Sequence, residues 1–351
     1  MFGHSAVMVA HEMRLPLPCD EALWSAMSSS EVGRVQQFLT SDGIKPISFL
    51  DGLKKTLNGQ TVRTNSFGRT ILMAGLLSVS WHMNQRDLQI SSLGATTVLG
   101  GQDEWRGPLI LGFDFWKQDF DSALNRSEDC PASNPYEYSH GIDDDNVFES
   151  RTDLYHLAHM AMHVDIVDCQ IYAGAPKLLG RSVFLQDYHG AQRRMEAWAP
   201  TVRARRATFH ALRFLRTVLL AGDHSPNPNT PSSAVLSYST RDDHLLYRPR
   251  SLYFATLIVW SYGFALEGPV KERYQLLSYE DKVKDMVLYL NRVGGVRSPE
   301  DLSGTLNCNA CLGLLIIMRD MFKKTRWELL HEAGNLLTKC IEMLFSGAGG
   351  S

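Results

Sequence analysis

The sequence predicts an all-α fold, a large single helical domain with two long irregular loops. Apolar residues recur three and four positions apart in most segments, which is the spacing of a helix face. Alternating patterns typical of strands are few, and they indicate short strands at most at residues 96–99 and 234–238. With 351 residues and 44% hydrophobic content, the chain is long and apolar enough to form a substantial core. We expect one domain over residues 1–345 and a flexible tail at 346–351.

The first third of the chain is a succession of helical patterns. Pro16 and Pro18 separate the first of them from the rest, because proline removes a backbone donor. The strongest pattern covers residues 67–83, where so little polar face remains that the helix should be buried. Helices are predicted at residues 6–13, around Leu23 and Trp24, and at 30–39, 47–57, 67–83 and 105–124.

Two polar stretches interrupt the helices and predict the long loops. Residues 126–150 are rich in Pro, Ser and Asp, and residues 223–249 contain Pro226, Pro228 and Pro231. Both stretches fall between helices of similar character, which favours one domain. The remaining helices are predicted at residues 182–198, 200–221, 251–266, 281–292, 310–322 and 326–345.

Residues 153–176 predict a central helix around which the rest of the chain is built. Apolar side chains spread round most of its faces, and no Gly or Pro interrupts it before Gly174. His156, His159 and His163 fall at positions i, i+3 and i+7, so a helix places them on one stripe. The stripe allows three interpretations: a metal site, an effector pocket, or a core that accommodates histidine.

The metal interpretation depends on His159 and His163. At positions i and i+4 they could ligate one metal, as paired helical histidines do in zinc enzymes. The glutamate that makes such a motif hydrolytic is absent, since Met160 and Ala161 follow His159 directly. The competing interpretation is that the imidazoles hydrogen-bond to neighbouring helices. We therefore expect no metal, with His159 and His163 as the candidate ligands if one is bound.

An acidic cluster lies within the first polar stretch, at Asp143, Asp144, Asp145 and Glu149. Paired carboxylates on a helix of an all-α protein can hold magnesium and a diphosphate, as in class I terpene synthases. The second metal motif of such enzymes is not found in the sequence, and a solvated loop is the competing interpretation. The cluster and the histidines together leave one alternative function, a metal-dependent all-helical enzyme acting as a diphosphate lyase or hydrolase.

The cysteine and arginine patterns indicate little further chemistry. Cys308 and Cys311 form one CxxC without a second pair nearby, so buried thiols are favoured over a zinc site. The arginines of residues 181–216 could contact phosphate or an acidic segment, or form a solvated helix surface. No glycine-rich phosphate loop, GxSxG motif or Ser-His-Asp grouping occurs in the sequence. We expect no catalytic residues and no enzyme.

The composition excludes further classes. The formal net charge of −3 lacks the basic excess of a nucleic-acid-binding module. Six cysteines are too sparse for a disulfide framework and fit a reducing compartment. The most apolar run, residues 251–266, is shorter than a membrane span, and the first residues lack a signal-peptide pattern. We expect a soluble intracellular protein without membrane contact.

Five blocks of sequence, in order between about residues 4 and 345, carry a family resemblance. Together they resemble the fungal-specific transcription factor regulatory domain, or middle homology region, and are most similar to the branch found in factors with two-Cys, two-His zinc fingers. The blocks are RLPLPCDEALW (14–24), NSFGRTILMAGLLSVSWHMNQRDL (65–88), LYHLAHMAMHVDIVDCQIYAGAP (154–176), YRPRSLYFATLIVWSYGFALE (247–267) and RWELLHEAGNLL (326–337).

The resemblance implies the regulatory domain of a nuclear, sequence-specific transcription factor that controls transcription by RNA polymerase II. In such families a separate N-terminal zinc module reads the DNA. We expect that module and its zinc to be absent from this chain, so no cofactor and no direct DNA contact are expected here. The implied partners are other transcription proteins or a small effector, and a homodimer stays open. An effector or partner pocket is expected at His156, His159, His163, Trp260 and Tyr262.

Overall fold

The computed structural model describes residues 9–41, 45–92, 104–129, 144–178, 180–220, 238–270 and 275–346. Within those ranges the regular structure is almost entirely helical, and the only strands are the two-residue strands β1 (Lys177–Leu178) and β2 (Arg181–Ser182). They pair antiparallel, with Lys177 opposite Ser182 and Leu178 opposite Arg181. The all-α class predicted from the sequence is confirmed.

Thirteen α-helices are described, together with two short 3₁₀ helices at Ala10–Glu12 and Pro299–Gly304. The α-helices are α1 (Glu21–Trp24), α2 (Ser29–Ser41), α3 (Phe49–Leu57), α4 (Ser66–Ser92), α5 (Arg106–Asp129), α6 (Asp144–His163), α7 (Ile166–Tyr172), α8 (Leu185–Trp198), α9 (Val202–Leu219), α10 (Arg248–Glu267), α11 (Tyr279–Arg292), α12 (Leu312–Lys323) and α13 (Glu328–Leu344).

Most predicted helices are found close to their expected bounds, and the differences lie at the helix ends. The helix expected at residues 6–13 is only the short 3₁₀ turn Ala10–Glu12, with residues 6–8 outside the described ranges. Helix α4 continues to Ser92, well beyond the expected end at residue 83. No helix in the described part of the chain is long and apolar enough to cross a membrane.

Helices extend into both of the predicted loops. Helix α5 continues to Asp129 and α6 begins at Asp144, so residues 126–129 and 144–150 are helical, while residues 130–143 lie outside the described ranges. Residues 238–247 are irregular, and α10 begins at Arg248 with Pro249 in its first turn, where a missing N–H costs no helical bond.

The short strands predicted from the sequence are not found where the chain is described. Residues 96–99 and 234–237 lie outside the described ranges, and Tyr238 is not part of a strand. Contacts divide the chain into two compact units, which we call the N-terminal unit (residues 5–158) and the C-terminal unit (residues 159–351, with which residues 1–4 are grouped). The boundary falls within the sequence of α6. The single domain over residues 1–345 stays a prediction.

The N-terminal unit is built on α3, α4 and α5. Its core contains Phe49, Leu72, Met73, Leu76, Phe113, Trp116 and Phe120, all nearly or fully buried. Helix α4 approaches α3 closely at Gly75, where a Cβ atom would lie 2.6 Å from the Phe49 ring. Glycine is therefore required at this crossing, because a methyl group would overlap the aromatic side chain.

A buried ion pair ties the N-terminal unit together. Arg69 of α4 donates to a carboxylate oxygen of Asp119 of α5, and both side chains are almost fully buried. The same guanidinium donates to the main-chain oxygen of Val62 at 3.1 Å, and the Trp116 indole donates to the main-chain oxygen of Arg69 at 2.8 Å. Because one Asp119 oxygen accepts from both Arg69 and the Val62 amide, the charges are compensated where they are buried among apolar side chains.

Helix α10 is the most deeply buried element of the C-terminal unit. Every residue from Arg248 to Gly263 except Arg250 is buried, and α7, α8, α9, α12 and α13 pack against the helix. At Gly263 a Cβ atom would lie only 2.3 Å from the main-chain oxygen of Cys308. A helix that is apolar all round belongs in the interior, so α10 takes the central place that the sequence predicted for residues 153–176.

Candidate functional site

The helix predicted over residues 153–176 is broken into α6 and α7, so the prediction of one uninterrupted helix is wrong. Helix α6 ends at His163, and Val164 and Asp165 are not helical. The Asp165 side chain accepts a hydrogen bond from the Val167 amide at 2.8 Å and caps α7. The break needs neither Gly nor Pro, because an aspartate that caps its own downstream amides also starts a new helix. The predicted stop is confirmed at Gly174, whose φ of 82° suits glycine.

The three histidines on α6 have different environments. His156, in the N-terminal unit, is half-buried, and its ring centroid lies 5.3 Å from that of Tyr155. His159 and His163, in the C-terminal unit, are 4% and 3% exposed. The main-chain oxygen of His163 accepts a hydrogen bond from the Trp198 indole at 2.9 Å. The common stripe on the helix therefore does not give the three imidazoles a common role.

His159 is stacked on His210 of α9. The ring centroids are 4.1 Å apart and the planes are inclined by only 4°. A metal ligated by two imidazoles lies near the plane of each ring, and two parallel stacked planes cannot both contain it. The described residues contain no group of three or more His, Cys, Asp or Glu side chains that could hold a metal ion. The stack therefore serves packing between α6 and α9.

His210 is a site residue that sequence reasoning missed. Its position on α9 groups it with Arg203, Arg206 and Arg213, which the pattern assigns to the polar face of that helix. The structure instead places it half-buried against His159, with the Phe209 ring edge-on at 5.6 Å. No signal in the sequence distinguishes it from its arginine neighbours, since a histidine suits either environment.

Trp260 and Tyr262, the other two predicted pocket residues, lie inside the C-terminal unit on α10. The Trp260 ring stacks on Phe264 with centroids 5.1 Å apart and lies 5.5 Å from Tyr172 of α7. The Tyr262 ring meets Trp198 of α8 edge-on at 6.4 Å. Burial raises the pKa of Tyr262 to about 12, so its hydroxyl stays protonated.

Trp198 connects two of the predicted residues. Its indole N–H donates to the His163 main chain, and its ring contacts Tyr262. The structure therefore brings His163 and Tyr262 together through a residue that the sequence had not singled out. Trp260 lies in a separate aromatic group with Tyr172 and Phe264.

Several buried polar atoms in this core have unmet hydrogen-bonding capacity, and three of them come from three different helices. These three are the Trp260 indole Nε1, the Thr208 hydroxyl on α9 and the Gln170 Oε1 on α7, and none of them bonds to a described residue. Trp260 is completely buried, and Thr208 and Gln170 are 1% and 4% exposed. Leaving such groups unpaired costs about 1–3 kcal/mol each, so each is a place where a small polar molecule would gain a hydrogen bond.

The cysteine pair is buried, as the sequence predicted. Cys308 and Cys311 precede α12, and the Cys308 thiol donates to the main-chain oxygen of Thr305 at 3.2 Å. Burial raises the pKa of Cys308 to about 12 and also raises the pKa of Cys311. Because the thiolate is the reactive and metal-binding form, neither sulfur is prepared for chemistry near neutral pH.

The arginine-rich segment is partly committed to contacts within the chain. Arg194 binds Asp168 with two hydrogen bonds of 2.8 and 2.6 Å. Arg213 and Arg216 donate to the main-chain oxygens of Val296 and Gly294. These arginines therefore hold α8 to α7, and α9 to the segment that follows α11.

The acidic cluster does not lie in a loop where it is described. Asp144, Asp145 and Glu149 belong to the first turns of α6, and Asp143 lies outside the described residues. The expectation of a loop is therefore wrong for these three positions.

Comparisons with known proteins find similarity to one class of protein. Residues 1–118 match the family model described as "Fungal specific transcription factor domain". The chain is 27% identical over 348 residues to the "Nicotinate catabolism cluster-specific transcription factor" of Emericella nidulans, covering 96% of this chain and 35% of that relative. No solved structure is significantly similar to the chain.

Two further relatives come from Schizosaccharomyces pombe. The chain is 24% identical over 347 residues to "Zinc finger protein klf1", covering 98% of this chain and 40% of that relative. It is 21% identical over 346 residues to "Zinc finger protein zas1", covering 97% and 35%. The chain thus spans well under half the length of the curated relatives that it matches.

The chain is therefore similar to fungal transcription factors over almost its whole length, and its first third matches their domain model. The resemblance recognised in the sequence blocks is confirmed. Two of the relatives are named as zinc finger proteins, in agreement with the branch to which those blocks are most similar.

Proposed function

We propose that this domain switches a nuclear, sequence-specific transcription factor between output states through contacts with a small effector or another transcription protein. The observation that carries the proposal is the extent of the likeness, since each of the three relatives aligns over 96–98% of the chain. The domain acts without catalysis in this proposal, by binding. A zinc-binding module elsewhere in the whole protein reads the DNA.

The core of the C-terminal unit is the proposed effector site. Trp260, Thr208 and Gln170 offer one indole donor, one hydroxyl and one amide oxygen without partners among the described residues. These groups come from α10, α9 and α7, and α10 packs against both other helices. A ligand that satisfies them binds one arrangement of the helices better than another, and this differential affinity shifts the population towards that arrangement.

A reporter assay tests the proposed function. The chain is fused to a heterologous DNA-binding module, and reporter output is measured in a fungal host across carbon and nitrogen sources. We expect the fusion to differ from the bare module in at least one condition, because the domain changes state there. Output equal to that of the bare module in every condition would count against the proposal.

A matched variant links the response to the core. Thr208→Val keeps the side-chain shape and removes the unpaired hydroxyl, so the fold should be retained. We expect it to alter the condition dependence of the fusion, whereas the exposed substitution Arg206→Gln on the same helix should not. If the wild-type, Thr208→Val and Arg206→Gln fusions respond identically, the core of the C-terminal unit is not the effector site.

A further inference from the structure

A basic groove lies on the surface of the N-terminal unit, outside the core proposed for the effector. It has a volume of about 570 Å³ and is formed by residues before, within and after α3. Its cationic side chains are Lys45, Lys54, Lys55 and Arg63, and its one carboxylate is Asp51. All four cations are exposed to solvent.

The carboxylate in the groove is already committed to the helix. The Ser48 hydroxyl donates to Asp51 at 2.7 Å, and the Asp51 amide donates to the Ser48 hydroxyl at 3.1 Å. Lys54 reaches the other carboxylate oxygen only at 4.0 Å, with both side chains largely exposed. Such a pair contributes little, so most of the positive charge stays available.

The other three cations have no partner within the described structure. Lys45, Lys55 and Arg63 make neither an ion pair nor a side-chain hydrogen bond to any described residue. Lys54 and Lys55 suit the C-terminal end of the α3 dipole, but Lys45 and Arg63 lie outside that helix. Contacts among the described residues therefore do not explain this concentration of charge.

Charge and size favour an acidic peptide over nucleic acid as the occupant. Four cations are fewer than the six to ten phosphate contacts of typical DNA-binding proteins, and the chain as a whole has a net charge of −3. At about 570 Å³ the groove is in the size range of small-ligand pockets, so it would hold a few residues of a bound peptide. Pro46 and Ile47 add apolar area, and Asn58 and Gln60 add amides that can bond to a peptide main chain.

We propose that this groove docks an acidic peptide segment of a partner protein, with Lys45, Lys55 and Arg63 binding its carboxylates. The inference rests on the proposed function only in that a regulatory domain needs a partner surface. A concave basic surface raises the local concentration of an acidic partner and speeds its association.

Peptide binding to the purified chain tests the proposal. The probe is a fluorescein-labelled octapeptide of Glu with two Leu residues, and fluorescence anisotropy is measured at low and high salt. The peptide with Gln in place of Glu and a labelled 20-base-pair DNA duplex are the comparison probes. We expect the acidic peptide to bind most tightly and to lose affinity as salt rises.

A matched pair of charge reversals locates the binding site. Lys55→Glu/Arg63→Glu should weaken peptide binding about tenfold or more. Lys324→Glu/Arg326→Glu makes the same change in net charge at exposed residues of the C-terminal unit and should weaken it no more than about twofold. Thermal melts identify any misfolded variant, and Lys54→Gln/Lys55→Gln then serves as the milder substitution.

Several results would overturn the proposal: no binding of the acidic peptide, equal losses in both charge reversals, or tighter binding of the duplex that the groove substitution abolishes. The last result would assign the groove to nucleic acid. The measurement needs no transcription, so failure of the reporter assay and failure of peptide binding are distinguishable.

Discussion

At the scale of single residues, the fold depends on a few buried polar groups that are paired and a few that are not. Arg69 and Asp119 are the paired case, held by each other and by main-chain groups of Val62. Thr208 and Trp260 are the contrasting case, since the buried hydroxyl of one and the buried indole nitrogen of the other make no hydrogen bond to a described residue. Paired groups specify how helices meet, and unpaired ones indicate where a ligand would be stabilised.

Removal of one partner of the buried pair should be strongly destabilising. We expect Arg69→Met to lower the free energy of unfolding by about 3–5 kcal/mol, because Asp119 is left as an uncompensated buried charge. Chemical denaturation measures the loss. Arg69→Met/Asp119→Leu should recover most of it, and Arg181→Ala, in an exposed pair with Asp187, should cost less than about 1 kcal/mol. A mild effect of Arg69→Met alone would show that the pair is hydrated.

Asp285 makes a pH-dependent contribution to stability. Burial raises the pKa of this carboxyl, although the Gly313 amide donates to it at 2.8 Å. A raised folded-state pKa gives stability that is present below the unfolded-state pKa and is lost as pH rises through the folded value. Asp285→Asn keeps an acceptor and removes the charge, so it should melt higher than wild type at pH 7. The difference should narrow as the pH is lowered towards 4, and a widening difference would contradict the cause given.

At the scale of elements, close helix contacts decide which positions tolerate a side chain. Gly263 lets α10 approach the segment that carries Cys308, whose main-chain oxygen would lie 2.3 Å from an added Cβ. Gly33 is also in a helix, α2, but an added Cβ there meets nothing within 4 Å. The two positions read alike in the sequence and differ only in what packs against them.

Alanine at these two glycines should therefore have opposite effects. Gly263→Ala should destabilise the C-terminal unit by about 1–3 kcal/mol or more, because a backbone oxygen must move. Gly33→Ala should stabilise the chain by about 0.5–1 kcal/mol through helix propensity and chain entropy. The melting temperatures of the two variants are compared with that of wild type. A stabilising Gly263→Ala would mean that α10 lies farther from Cys308.

Helix positions could be predicted from the sequence because each helix has its own apolar spacing. Helices α9, α11 and α12 end within about two residues of the expected positions. The break at Val164 and Asp165 could not be predicted from Gly or Pro, since it arises from the Asp165 cap. Of the predicted pocket residues, His163 and Tyr262 meet through Trp198, but the partner of His159 is His210, which only the packing of α6 on α9 reveals.

At the scale of the whole molecule, the two units offer two kinds of contact. The N-terminal unit carries an open basic groove, and the C-terminal unit carries a closed core with unmet polar groups. We propose the groove as the surface for a partner and the core as the site for an effector. The chain covers only 35–40% of the relatives named above.

The central claim is that the folded domain controls transcriptional output, and reporter output from folded and unfolded versions of the fusion tests it most directly. Leu212 of α9 is completely buried, so Leu212→Asp should unfold the C-terminal unit through an unpaired buried charge. We expect its output to become equal to that of the bare DNA-binding module, while the exposed control Arg206→Gln behaves as wild type. Equal output from wild type, Leu212→Asp and the bare module in every condition would contradict the claim.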